Sequence, residues 1–267
     1  MTTEDLAEAG LQLEVTDNVA TVTLDRPEVR NAQTPAMWRA LARAGSTLPE
    51  HVRVVVVRGN GHSFSAGLDR KMLDPGAAEE GTESVVDMLS MTDAEMSALI
   101  DDYQQGFTWL RDPRFVSIAA VQGYAIGAGF QLALSCDLRV VTEDAQFSMK
   151  ESALGLVPDL TGTKPLVEAV GYSRALEICA TARMVGAAEA VDIGLALTAV
   201  PADRLDATVA DLVAALTAPL AGAVTETKRL LQSAAATDLD EQRRLEREAQ
   251  SRRFRELAPL MGVQPGG

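Results

Sequence analysis

Residues 117–137 read SIAAVQGYAIGAGFQLALSCD. The run from Ser117 to Val121 is apolar enough for a buried strand, and Gly123, Gly127 and Gly129 supply a glycine-rich turn. From the turn an apolar helix runs towards Cys136. A strand feeding a helix through such a turn leaves the first backbone N–H groups of the helix without intrahelical acceptors. Those N–H groups and the helix dipole together favour a negative charge at that point. Taken alone, the stretch is a tight turn between two core elements. A binding site requires a second source of N–H groups and acid–base side chains from elsewhere.

Downstream, Leu138 to Thr142 reads as another strand and Asp144 to Met149 continues the pattern, before Lys150 to Leu160 turns past Gly155 and Pro158. Helices are expected over 162–170, 173–182 and 187–194, and a strand over 195–200. Further helices are expected over 205–216, 219–235 and 238–257. Upstream, a helix from Asp101 to Arg111 leads to Pro113. Residues 72–100 are acidic and methionine-bearing with no clean strand; they read as a loop with short helices, either a lid or a solvated connector. The loop GNGHSFSAGLD (59–69) leaves a β-branched strand, Val52 to Arg58, suited to burial on both faces. Thr34 is a plausible N-cap, with Pro35 at the first position of a helix reaching Leu48. Residues 11–24 alternate apolar and polar around Asp17-Asn18, a hairpin signal. Strands spaced by helices through residue 200 indicate an α/β fold. The expected division is a core over 1–200 and a helical region over 201–267, whose charged end suggests an exposed or intersubunit helix.

The chain has 267 residues, of which 47% are hydrophobic, enough for one large domain with a substantial core. No apolar run approaches the roughly 18 residues of a membrane span, and the acidic MTTEDLAEAG start lacks a signal pattern, so a cytoplasmic location is expected. The net charge of −14 argues against nucleic acid and anionic membranes as partners. A small anionic ligand is less excluded, because a local basic cluster can oppose the global field. Arg26, Arg30, Arg58, Arg70 and Lys71 are candidates, although singly each is an ordinary surface charge. Cys136 and Cys179 sit in apolar helical contexts without metal-type spacing and read as buried thiols.

Several chemistries are excluded by motif. There is no G-x-x-x-x-G-K-[ST] loop, no G-x-G-x-x-G spacing in 123–129 and no G-x-S-x-G elbow. With only His51 and His62, a Ser-His-Asp triad or histidine metal site is hard to build. What remains is a pair of glycine-turn backbone sites, around Ala66 and Ala128, and the acids Glu151 and Asp159 eight residues apart. Singly, each acid reads as a cap or surface group; beside two strand-to-turn sites they become candidates for proton transfer.

The dispersed motifs carry a specific resemblance. Leu24-Asp25-Arg26-Pro27 with Asn31-Ala32, Phe64 to Asp69 (FSAGLD), Gly123 to Gly129 with Cys136-Asp137, and Ala145-Gln146-Phe147 occur in that order. Gly155 to Pro158 (GLVP), Gly162-Thr163 and Thr227-Lys228 follow. On these residues the chain resembles the crotonase superfamily, the enoyl-CoA hydratase/isomerase family, over most of 11–260, least in 72–108. The resemblance implies a spiral of ββα repeats, C-terminal helices that pack subunits into homotrimers or dimers of trimers, and an acyl-CoA thioester as substrate. No metal or further cofactor is implied. The thioester oxygen would lie between the N–H groups of Ala66 and Ala128, an oxyanion hole in which each donor is worth roughly 10²–10³ in rate. Ala128 stands where the family usually has glycine. The substrate-binding residues implied are Arg26, Val29, Arg30, Ala32, Ala66, Gly67, Leu68, Asp69, Gly127, Gln131 and Pro158.

By the same resemblance the acids decide the reaction. Family hydratases use two carboxylates, matching Gln131 and Glu151; here the first is an amide that cannot accept a proton at neutral pH. Asp159 falls where dienoyl-CoA isomerases carry an acid, although those enzymes also have one at the position of Gln131. Moving a double bond requires proton removal at one carbon and delivery at another, so Glu151 and Asp159 become the expected donor and acceptor. The expected activity is therefore isomerisation of an enoyl- or dienoyl-CoA. A hydratase using Glu151 alone and a non-catalytic acyl-CoA-binding protein are the alternatives. The competing role for Asp159 is a turn residue capping the helix near Gly162.

Overall fold

Four consecutive valines place Val54–Gly59 at the centre of the main sheet, where strands are covered on both faces and alternation disappears. A computed structural model describes residues 3–73 and 83–262. Among them the strands are β1 (Leu11–Thr16), β2 (Val19–Leu24), β3 (Val54–Gly59), β4 (Val116–Val121), β5 (Tyr124–Ile126), β6 (Leu138–Thr142), β7 (Gln146–Ser148), β8 (Val185–Gly186) and β9 (Thr198–Val200). The main sheet runs β1-β2-β3-β4-β6-β9, and a smaller one runs β5-β7-β8. The β1–β2 hairpin is antiparallel, and the other pairs of the main sheet are parallel. This succession of strands crossed over by helices is the expected α/β spiral, and a C-terminal helical region follows it.

Helices cover both faces of the main sheet. On one side Pro35–Thr47, capped by the Thr34 side chain, buries Met37, Trp38 and Leu41. It packs against Asp93–Thr108, where an added Cβ on Gly106 would meet the Trp38 carbonyl at 2.4 Å. On the other side Leu205 and Val209, from Leu205–Thr217, close a second cluster with Val54, Val56, Ile118, Ala120 and Val140. That helix, assigned from sequence to the appended region, therefore forms part of the core layer.

Other details depart from expectation. The helix expected from Asp101 begins at Asp93, behind a capping box of Thr92 and Glu95. A short helix, Val85–Met88, precedes it. The lid-or-connector reading of 72–100 falls partly on residues 74–82, outside the described residues. The glycine turn contains β5, which pairs in parallel with β7, so the pattern expected over 144–149 shortens to Gln146–Ser148 and belongs to the second sheet. The strand expected over 195–200 shortens to β9. Only Cys136 of the two cysteines is buried, and burial pushes its pKa up to about 12; Cys179 is half-buried.

The quoted motifs Cys136-Asp137 and Thr227-Lys228 meet in space. Lys228 Nζ donates to Asp137 Oδ2 at 2.7 Å and to the carbonyls of Asp112 and Phe115 at 2.8 Å each. Asp137 Oδ2 also accepts from Ser117 N–H and Oγ. Burial holds the Lys228 ammonium below its usual pKa, against the opposing pull of Asp137. The contact fastens the helix Ala221–Ala234 to the start of β4.

Candidate active site

The site is assembled around the β4–β5 turn and the helix that follows. Gly127 has φ 50° and ψ −118°, a conformation suited to glycine, and its N–H donates to the Ser148 carbonyl. Ala128 is the first residue of the helix Ala128–Ser135, so its N–H has no intrahelical acceptor. The facing loop is braced by Asn31, whose side chain accepts from Arg26 N–H and donates to the Asn60 and Ser63 carbonyls. Gln33 and Leu68 form a parallel bridge in which Gln33 N–H donates to Gly67 O and Asp69 N–H donates to Gln33 O. Gly67 has φ 89°; an added Cβ would meet the Ile126 carbonyl at 2.5 Å and Ala128 N at 3.5 Å. The two expected backbone sites are thus in contact.

The register of that loop corrects one expectation. Ala66 N–H donates to the Arg30 carbonyl at 2.8 Å, so it is already engaged. The bridge to Gln33 uses Gly67 O and Asp69 N–H. The C=O and N–H of one trans peptide point to opposite sides, so with Gly67 O turned to Gln33 the Leu68 N–H lies outside that ladder. Leu68 and Ala128 are then the N–H pair flanking the Gly67 approach.

Glu151 begins a 3-10 turn, Glu151–Leu154, directly after β7. Its carboxylate lies against Gly127, where a Cβ would be 3.2 Å from Oε1. Oε1 accepts from Gln131 Nε2 at 2.8 Å, whereas Oε2 is buried and has no partner among the described residues. Asp159 is half-buried; its carbonyl accepts from Gln104 Nε2, and its side chain does not cap the helix that starts at Thr163. Burial raises the pKa of both carboxyls; for Glu151 the Gln131 hydrogen bond opposes this and the charge of Asp159 adds to it. The charge of Asp159 therefore acts on Glu151, and burial makes both carboxyls weaker acids than exposed ones.

Gln131 occupies a different place from that expected. It is fully buried, and its Oε1 accepts from Leu160 N–H at 2.9 Å and Gly162 N–H at 3.2 Å. Both ends of its amide are engaged with protein groups. Arg26 is likewise engaged, with Asp69 at 3.0 Å and the Ala32 carbonyl at 2.7 Å, so these three residues tie the loops together. Arg58 pairs with Asp206, which leaves the suggested basic cluster unassembled around it. Val29, exposed, and Arg30, stacked over the exposed Tyr124 ring at 5.9 Å, lie at the rim, and Pro158 is half-buried. The sequence implied Leu68 as a substrate contact without singling out its N–H, and gave no sign of the bridging position of Gln131. Alternation from Asp69 could have signalled the first; the second depends on a tertiary contact across 29 residues.

Comparison with known proteins places this geometry among relatives. The family model described as enoyl-CoA hydratase/isomerase matches residues 14–265. A Rhizobium meliloti protein named "Probable enoyl-CoA hydratase" is 32% identical over 197 residues, 73% of this chain and 70% of its own length. The mouse mitochondrial Delta(3,5)-Delta(2,4)-dienoyl-CoA isomerase is 35% identical over 181 residues, 67% of this chain and 54% of its own. A Thermobifida fusca YX protein described as "a putative enoyl-CoA hydratase", solved with acetoacetyl-CoA, superposes with a TM-score of 0.92 at 52% identity, over 96% of this chain and 99% of that one. A further structure described in the same words holds CoA and gives a TM-score of 0.91 at 51% identity, over 97% and 98% of the two chains.

Proposed function

Because the chain belongs to the enoyl-CoA hydratase/isomerase family, we propose that it shifts a carbon–carbon double bond in an acyl-CoA thioester, a 3-enoyl- or 3,5-dienoyl-CoA. The thioester oxygen would be held by the N–H groups of Ala128 and Leu68, which stabilise the negative charge that develops when the carbon next to the carbonyl loses a proton. Glu151 Oε2 takes that proton, and the electron pair spreads through the conjugated system onto the thioester oxygen. Asp159 delivers a proton to the far carbon of the system, C4 of an enoyl or C6 of a dienoyl chain. The electrons return from the oxygen, the double bond is displaced, and the acids reset by exchanging protons.

The observation that carries this reading is the buried, partnerless Oε2 of Glu151 beside Gly127, with a second carboxyl near enough to alter its proton affinity. An acceptor without a donor inside a protein costs stability, and one retained at a helix N-terminus suits a proton-accepting group. Asp159→Asn tests the reading. Isomerisation should fall by roughly 10²–10⁴ while binding of a saturated acyl-CoA changes little; unchanged turnover would rule out this role for Asp159.

Hydration by Glu151 alone is the second reading, favoured by the names of the relatives. Hydration of crotonyl-CoA at enzymatic rates, without isomerisation of 3-enoyl thioesters, would decide for it. We also read the exposed Leu239, Phe254, Leu260 and Met261 of the C-terminal region as part of a subunit interface, to be checked by light scattering.

A further inference from the structure

We propose that Gln131 is a positioning residue: its one amide aims Glu151 Oε2 into the pocket and fixes the segment that carries Asp159. The inference rests on the proposed use of the two acids but concerns how the fold holds them. Gln131 Nε2 donates to Glu151 Oε1, so of the two carboxylate oxygens only Oε2 is left open. Gln131 Oε1 accepts from Leu160 and Gly162 N–H, one and three residues after Asp159. An amide can do both at once, because it presents donors at one atom and an acceptor at the other. Leucine or methionine could do neither, and an ionised glutamate would oppose Glu151 with a like charge.

The surroundings are built for this side chain. A Cβ on Gly162 would lie 2.6 Å from Gln131 Cγ, so glycine there gives the side chain its room. Among the described residues, the titratable groups that act on Glu151 or respond to its charge are Asp159 and Cys179. Lys150, next in sequence, spends its Nζ on the Ala182 carbonyl. Donation from Gln131 therefore favours the ionised form of Glu151, against burial and the neighbouring aspartate.

Gln131→Met and Gln131→Glu test the proposal on the full-length protein. The readouts are the pH profile of turnover, KM for the thioester, and the carboxyl titration of Glu151, assigned by infrared difference against Glu151→Gln. The Glu151 titration should move upward from wild type to Gln131→Met and further to Gln131→Glu, where two carboxyls share one proton. In Gln131→Met, kcat should fall by roughly 10–100-fold with KM within about threefold, the pattern of a misplaced reacting group. Gln131→Glu keeps an acceptor for Leu160 and Gly162, so it reports even where Gln131→Met fails to fold. An unmoved titration in Gln131→Glu, or a raised KM with unchanged kcat, would overturn the positioning role. The infrared titration needs no substrate. A shift there together with an active Asp159→Asn would retain Gln131 as positioning residue while removing the isomerase assignment.

Discussion

Glu151→Gln separates the chemistry of the carboxylate from its shape. The amide oxygen can still accept from Gln131 Nε2, as Oε1 does at 2.8 Å, so the contact with the helix Ala128–Ser135 is kept. What disappears is the proton-accepting Oε2 beside Gly127. A positioned general base contributes roughly 10²–10⁴ in rate, about 2.7–5.4 kcal/mol of barrier. Turnover of a 3-enoyl-CoA should fall by that factor, while the Kd for a saturated acyl-CoA stays within about threefold. The same substitution has a signed effect on stability. Burial raises the Glu151 pKa above its unfolded value, so ionising the carboxyl in the fold is unfavourable. Its contribution is most favourable below the unfolded pKa and is lost as pH rises through the folded one. The substituted amide does not titrate, so the Tm of Glu151→Gln relative to wild type should rise as the pH is raised above the ordinary carboxylate range. Turnover within threefold of wild type, or a Tm difference independent of pH, would refute the reasoning.

Two further substitutions probe the frame around the acids. Lys228→Met leaves Asp137 without its ammonium partner and should cost about 3–5 kcal/mol in urea unfolding; a loss below about 1 kcal/mol would show that the buried pair does not fasten the C-terminal helices. Gly67→Ala places a methyl 2.5 Å from the Ile126 carbonyl in a backbone at φ 89°, which together should cost about 2–5 kcal/mol. It should also part the Leu68 and Ala128 N–H groups and lower turnover, measured beside the Tm of the same sample.

The elements legible in the sequence are those whose signal is local. Four valines in β3, the Thr34–Pro35 helix start and the strand–turn–helix of 117–137 each declare themselves through burial pattern or capping chemistry. The Thr92/Glu95 capping box is equally local, and it is the signal that starts the long helix at Asp93. The second sheet was not legible. Its strands span two or three residues each, too few for alternation to stand out, and they exist because β5 and β7 pair in space although a helix and β6 separate them in the chain. At the candidate site, Glu151 and Asp159 stand out by residue type and spacing, whereas the engagement of Ala66 N–H by the Arg30 carbonyl does not. Which peptide groups of that loop are paired is fixed by the Gln33–Leu68 register, a contact between distant segments. Arg26 and Asp69, which the resemblance implies as substrate contacts, form an ion pair with one another that depends on two segments 43 residues apart.

The central claim is that one thioester oxygen, two N–H groups and two carboxyls share a single pocket. A crystal structure with a bound saturated acyl-CoA measures this directly. The account predicts the thioester oxygen within hydrogen-bond distance of Ala128 and Leu68 N–H, with Glu151 and Asp159 both facing the acyl carbons beyond it. An oxygen held at Ala66 instead, or an Asp159 carboxylate turned to solvent, would contradict it.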